Sequence, residues 1–193
     1  MVLEADWNER ELRCQFVLPT AVFARRAVCG TQFGHVERPR VANTSWDVAM
    51  FEVCAHRYVH ISEPGLGVAI MADGPRGYDI RGDELKLTLL RSPSFPDPNA
   101  DAGRQRVEWS LAIDDGSRSG LEVIAAQNAH PVRVLDGRPA VTSAGVRLVS
   151  DGAHISAVKP ADDGSGDLII RLWETRGATS PAHLSVDRAA VCH

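Results

Sequence analysis

Phe51–Pro93 reads FEVCAHRYVHISEPGLGVAIMADGPRGYDIRGDELKLTLLRSP, and the fold turns on how its parts alternate. Within it, Gly67-Val68-Ala69-Ile70-Met71 is a short apolar run, and Leu85-Lys86-Leu87-Thr88-Leu89-Leu90 alternates with large aliphatic side chains. Runs this short and this apolar fit buried strands. Between them, Asp73-Gly74-Pro75-Arg76-Gly77-Tyr78-Asp79-Ile80-Arg81-Gly82-Asp83 holds glycines and a proline that break helix and ladder alike. The expectation is a polar, arginine-bearing loop carried on two strands, a usual seat of function. An ordinary hairpin connection with solvated charges fits the same residues. Phe51 to Ile61 sets Phe51, Val53, Ala55, Arg57, Val59 and Ile61 against Glu52, Cys54, His56, Tyr58 and His60. That period of two predicts one half-buried strand.

Upstream, Leu12–Leu18 (LRCQFVL) predicts a strand stopped by Pro19. Ala21–Val28 fits a second strand or a single turn, and Thr31–Val36 is a short β-prone piece closed by Arg38-Pro39-Arg40. Asn43-Thr44-Ser45-Trp46-Asp47 reads as a turn, because Asn and Ser side chains bond the local backbone. Downstream, Pro93, Pro96 and Pro98 exclude regular structure over Ser92–Asn99. Arg106–Ile113 alternates, Asp114-Asp115-Gly116-Ser117 is a turn, and Gly120–Asn128 is a helix candidate of about two turns. Further strands are expected at Val132–Leu135, Val146–Val149, His154–Val158 and Leu168–Trp173. Asp151-Gly152 and Asp162-Asp163-Gly164-Ser165-Gly166 supply hairpin turns. After Trp173 no closing strand is evident, which suits a piece of a longer protein or a frayed natural tail. Many short strands with Gly, Pro and Asp punctuation predict an all-β sandwich with long loops and at most one short helix. Residues 1–193 show no internal repeat and no linker, so a single domain is expected.

The chain has 193 residues, 44% of them hydrophobic and 24% charged, as an ordinary globular protein does. A net charge of −4 with dispersed arginines argues against a nucleic-acid partner. No apolar run approaches the roughly 18 residues that span a bilayer. MVLEADWNERELR is acidic and polar, unlike a signal peptide. Cys14, Cys29, Cys54 and Cys192 form no Cys-x-x-Cys pair. Free thiols in a reducing cytosol are therefore expected, and with them a cytoplasmic location.

Residues that could carry chemistry are few. His56 and His60 would lie about 13 Å apart along one strand, too far for one metal to bridge. Cys54 shares a face with His56, but no nucleophile signature surrounds it. The carboxylate pairs Asp114-Asp115 and Asp162-Asp163 could serve glycoside hydrolysis, yet both sit in turn sequences. Of the aromatic residues Trp7, Trp46, Tyr58, Trp109 and Trp173, only Trp46, in the Asn/Ser turn, is a candidate for an exposed sugar platform.

Several blocks in sequence order resemble the C-terminal half of α-mannosidases of glycoside hydrolase family 38. They are Gln32–Pro39 (QFGHVERP), Asn43–Asp47 (NTSWD), Phe51–Tyr58 (FEVCAHRY) and Ser62–Ala69 (SEPGLGVA). Gly77–Gly82 (GYDIRG), Leu89–Pro93 (LLRSP) and Pro96–Asp101 (PDPNAD) follow, and Arg171-Leu172-Trp173-Glu174 with Gly177 resembles a later strand. The resemblance spans about Asp6 to Gly177. It implies a β-sandwich of the galactose-mutarotase-like, or supersandwich, type. It also implies a parent enzyme that hydrolyses terminal α-mannosides by a retaining, zinc-dependent mechanism. That family's nucleophile and zinc ligands lie in an N-terminal α/β domain, which nothing in this chain resembles. The implied chain is thus non-catalytic and inactive alone, without a cofactor of its own, zinc belonging to the parent's catalytic domain. Its implied partners are that domain of the same polypeptide and, through it, the α-mannoside.

Asp73-Gly74-Pro75-Arg76-Gly77 resembles the Asp-x-x-Arg-Gly loop of Golgi and lysosomal members, where an arginine reaches toward the active site. The resemblance implies that role for Arg76, with Asp73, Tyr78, Arg81 and Trp46 as further substrate-facing candidates. A guanidinium offers five donors to sugar hydroxyls or a carboxylate. The chain has Ala72-Asp73-Gly74-Pro75-Arg76-Gly77 where many bacterial and cytosolic members have Asn-Asp-x-Lys-Tyr-Gly, and it departs from the family with His60 where Asp is usual and Tyr58 where Trp is usual. An independent carbohydrate-binding module and a structural module that self-associates stay open beside the mannosidase domain.

Overall fold

Parity along the strands builds two sheets in the computed structural model, which describes residues 1–75, 77–118, 120–130, 134, 136, 145–150 and 152–187. Strands are numbered in chain order. β1 (Val2–Trp7) pairs with β10 (Gly103–Asp114), β10 with β7 (Leu66–Ala72), and β7 with β6 (Tyr58–Glu63). β6 pairs with β3 (Arg26–Thr31), and β3 with β4 (Gly34–Pro39), completing an antiparallel six-stranded sheet ordered β1-β10-β7-β6-β3-β4. β2 (Arg13–Pro19), β9 (Glu84–Arg91), β8 (Gly77–Asp79) and β5 (Val53–Cys54) form an antiparallel four-stranded sheet in the order β2-β9-β8-β5.

The two sheets share one core. Val59, Ile61 and Ile70 of the first pack with Tyr78, Leu85 and Leu87 of the second, each at most 2% exposed. Each such side chain contributes about 1.5–3 kcal/mol by leaving water. A helix, α2 (Leu121–Ala129), covers the opposite face of the six-stranded sheet, where Leu121 and Ala125 meet Tyr58, Ala69 and Met71. The chain is an all-β sandwich, as the punctuation of its strands predicts.

Several local expectations are corrected. Phe51–Ile61 is not one strand. It splits into β5 and β6, which belong to different sheets, and Ala55–Arg57 makes the crossing. Nor is the second piece half-buried: the sandwich core buries Val59 and Ile61, and on the other face α2 packs on Tyr58 and His60 is fully buried too. The Asp73–Asp83 segment contains β8 and runs from β7 in one sheet to β9 in the other, so it is no hairpin. Asn43–Asp47 leads into a helix, α1 (Ser45–Ala49), so the described residues hold two helices where at most one was expected. Ala21–Val28 yields a strand only from Arg26 onward.

By contacts the chain divides into two compact units, Met1–Pro131 and Val132–His193. In the second, β12 (Ala153–Pro160) and β13 (Leu168–Glu174) form a hairpin over the Asp162–Gly166 turn, where Gly164 and Gly166 take positive φ. β11 (Val146–Leu148) pairs with β14 (Leu184–Val186), so the segment after Trp173 does contain a closing strand. Of the strand expected at Val132–Leu135 only Val134 is described, exposed and in no strand, and Asp151, which was to begin a turn, lies outside the described residues, as does Cys192. Cys14, Cys29 and Cys54 are free thiols, and burial pushes Cys29 up to about 11.

Candidate functional site

The crossing from β7 to β8 overhangs a groove of roughly 730 Å³ within the first unit. Asp73, Gly74, Pro75 and Gly77 form its rim, and Thr88–Arg91 of β9 with Gln105–Glu108 of β10 line it. The loop stands there because β7 ends in one sheet and β8 begins in the other. Asp73, Gly74 and Pro75 lie at that crossing.

Glu52 anchors one wall. Its Oε1 accepts from Thr88 Oγ1 at 2.5 Å, Arg13 Nη1 at 3.1 Å and Gln15 Nε2 at 3.3 Å. Asp101 Oδ2 accepts from the Arg91 backbone N–H at 2.9 Å. Arg106 donates to Glu108 Oε1 at 2.5 Å and also to Glu4. The groove is thus polar, and Glu52, Asp101 and Glu108 in it are held by cations, hydroxyls and an amide, while Asp73 stands exposed at its edge. Such an arrangement can hold a polyhydroxylated ligand or a charged protein loop. Two carboxylates free to act as a nucleophile and an acid are not brought together at these positions.

The residues expected from sequence are distributed as follows. Arg76 lies outside the described residues. Asp73 is exposed at the rim of the groove. Tyr78 is 1% exposed in β8, where it belongs to the core with its partners across the sheet, Leu87 and Val53. Arg81 donates from Nε to Asp79 Oδ1 at 3.0 Å and from Nη2 to the Phe51 carbonyl at 3.2 Å, and its guanidinium lies 5.7 Å from the Phe51 ring centre. Burial alone would raise Asp79, but the Arg81 bonds and the Lys86 charge hold its carboxyl below the usual range. Trp46 is 84% exposed on α1. Tyr78 and Arg81 meet at a small hollow beside Phe51, and Asp73 lines the groove. Glu52 touches both.

Sequence reasoning missed Glu52, Arg91 and Arg106 as groove residues, since only the sheet order brings them together. It also missed a buried pair. His60 Nε2 lies 3.0 Å from Asp114 Oδ2, and the His60 side chain is fully buried. Burial holds the imidazole below its usual value despite the upward pull of Asp114. The neutral ring therefore donates from Nε2–H, and Nδ1 has no hydrogen-bond partner among the described residues. Asp114 does form its turn, accepting from the Gly116 N–H at 2.7 Å, and serves His60 as well. Beneath α2, Tyr58 donates to Glu122 Oε1 at 2.5 Å, and Arg57 pairs with Glu122 Oε2 at 2.9 Å.

Among the described residues no three His, Cys, Asp or Glu side chains gather as metal ligands. His60 has its Nε2 occupied by the bond to Asp114. The described residues do not fit a zinc site. No helix among the described residues is long and apolar enough to cross a membrane.

Residues 2–99 match the model of the glycosyl hydrolases family 38 C-terminal domain. The chain is 35% identical over 200 residues to alpha-mannosidase 2C1 of Homo sapiens, covering 98% of this chain and 19% of that protein. It is 31% identical over 183 residues to alpha-mannosidase G of Dictyostelium discoideum, covering 91% of this chain and 17% of that protein. The chain thus spans about a fifth of the length of the curated relatives it matches. The crystal structure of an alpha-mannosidase from Enterococcus faecalis V583 superposes with a TM-score of 0.81 at 16% identity, over 96% of this chain and 23% of that one. At that identity the likeness concerns the fold.

Proposed function

The chain belongs to the glycosyl hydrolases family 38 C-terminal domain family, and from that premise we propose that it is the non-catalytic β-domain of a longer α-mannosidase. In this reading the remainder of the polypeptide supplies the nucleophile and a zinc ion that would assist the retaining hydrolysis of terminal α-mannosides. This chain buttresses that catalytic domain and lends the Asp73–Gly77 loop, with Arg76, to the mannose pocket. The observation that carries the reading is the groove beneath that loop. It is open and polar, and three of its carboxylates, Glu52, Asp101 and Glu108, are already engaged by Arg13, Thr88, Arg106 and the Arg91 amide. That lining suits the positioning of a partner or a sugar better than acid–base chemistry.

The test is a chimera in which this chain replaces the matching segment of the human relative. Arg76→Ala in the chimera is expected to lower kcat/KM toward an aryl α-mannoside about 10–100-fold. That is the effect of losing one hydrogen bond to a charged group, roughly 1.5–3 kcal/mol. Unchanged kcat/KM would remove the loop from the pocket.

A second reading, a free-standing sugar-binding module, is favoured by one observation, the 84% exposure of Trp46. It requires heat on titration of the chain with α-mannobiose, lost in Trp46→Ala.

A further inference from the structure

We propose that the exposed apolar ridge at residues 46–51 is the surface on which this domain docks against the remainder of a family 38 mannosidase polypeptide. The proposal rests on the reading above that the chain is one domain of such an enzyme. Trp46 is 84% exposed, Val48 57%, Met50 47% and Phe51 65%. Single exposed apolar side chains are ordinary, but a run of four within six positions is the concentration on which the proposal rests.

The ridge is built without help from the core. α1 spans five residues and buries none of them. A helix that short does not persist by propensity. A capping box holds it instead: Thr44 Oγ1 accepts from the Asp47 N–H at 3.1 Å, and Asp47 Oδ2 accepts from the backbone N–H groups of Thr44 at 3.0 Å and Asn43 at 3.1 Å. The ridge is therefore preorganised, which lowers the cost of binding. The same network engages the side chains of Thr44 and Asp47 close to Trp46. The other exposed side chains of the ridge, Val48, Met50 and Phe51, are apolar and offer no donor or acceptor to orient sugar hydroxyls on an aromatic platform. A protein surface fits better.

Position and length identify the occupant. Phe51 is tied to Arg81 through its carbonyl at 3.2 Å, and the next residue, Glu52, lines the groove under the Asp73–Gly77 loop. Whatever covers the ridge is brought beside that loop. In the human relative and in the Enterococcus faecalis structure the matched region is 19% and 23% of the protein, so most of each polypeptide remains to supply the covering surface.

The experiment titrates the purified 193-residue chain with the human relative's polypeptide lacking its 200 matched residues, read by sedimentation. The expected result is a one-to-one complex that Trp46→Ser with Phe51→Ser weakens at least tenfold. Phe23→Ser, at a residue 78% exposed elsewhere, should leave it unchanged. Both substitutions are at exposed positions, and an unchanged circular dichroism spectrum certifies the fold. Equal binding by both variants overturns the ridge and leaves the domain reading standing. No complex with any variant overturns both. A homodimer of the chain alone that the double variant dissolves overturns the proposed occupant, as does α-mannobiose binding lost in Trp46→Ser alone.

Discussion

Gly67 is the residue on which the buried polar pair depends. A Cβ there would stand 1.9 Å from Asp114 Oδ1 and 2.5 Å from His60 Nε2. Neither neighbour can retreat, since His60 is fully buried and Asp114 is tied to Gly116. Gly67→Ala should therefore cost about 1–3 kcal/mol in urea unfolding, the usual cost of forcing extra volume into packed structure. A cost within 0.5 kcal/mol, about the size of an ordinary surface substitution, would show that the pair is not held as described. His60 itself gives a pH signature. Its folded pKa lies below the ordinary 6.5, burial being the larger cause and Arg118 a smaller one. The unfolded chain thus binds the proton more readily, and stability must fall as pH drops through about 6.5, levelling once the folded value is passed. Urea midpoints between pH 8 and pH 5 should fall for the natural chain and fall less for His60→Gln. Equal slopes would contradict the assignment. This pair could not be seen in the sequence, where 54 positions separate its members. Asp114 was legible only as a turn residue, and its second bond follows from β10 lying beside β7 and β7 beside β6.

Among the elements, α1 shows what a local pattern can and cannot tell. Thr44-Ser45-Trp46-Asp47 is read as a turn, yet a Thr followed three residues later by an acidic residue is also a capping box. The signal for the helix was present and was outweighed by the turn propensity of Asn and Ser. Because α1 buries nothing, its stability is local. Thr44→Ala should speed hydrogen exchange at the amides of Asp47 and Val48, as loss of a cap worth about 1 kcal/mol requires. The global urea midpoint should stay put. A fall in global stability would mean that α1 is coupled to the core. The break between β5 and β6 had no comparable signal. Ala55, His56 and Arg57 keep the alternation intact while the chain changes sheets, and no Gly or Pro marks the step. Strands β7, β9 and β10 were legible because their runs are bounded by Gly, Pro and Asp.

For the molecule as a whole, sandwich architecture followed from strand count and punctuation, and family membership from ordered blocks of residues. The order of strands within each sheet did not follow, because pairings such as β1 with β10 join residues about a hundred positions apart. The groove inherits that opacity: Glu52, Thr88, Arg91 and Arg106 come from separate segments and meet only when the two sheets close. A domain with this surface, spanning a fifth of its relatives' length, should position chemistry performed elsewhere. The direct test is hydrolysis of an aryl α-mannoside by the purified 193-residue chain in the presence of zinc. A non-catalytic domain gives no turnover above buffer. Turnover that survives further purification would contradict it and place an active site among residues read here as structural, beginning with Asp73, Glu52 and Asp101.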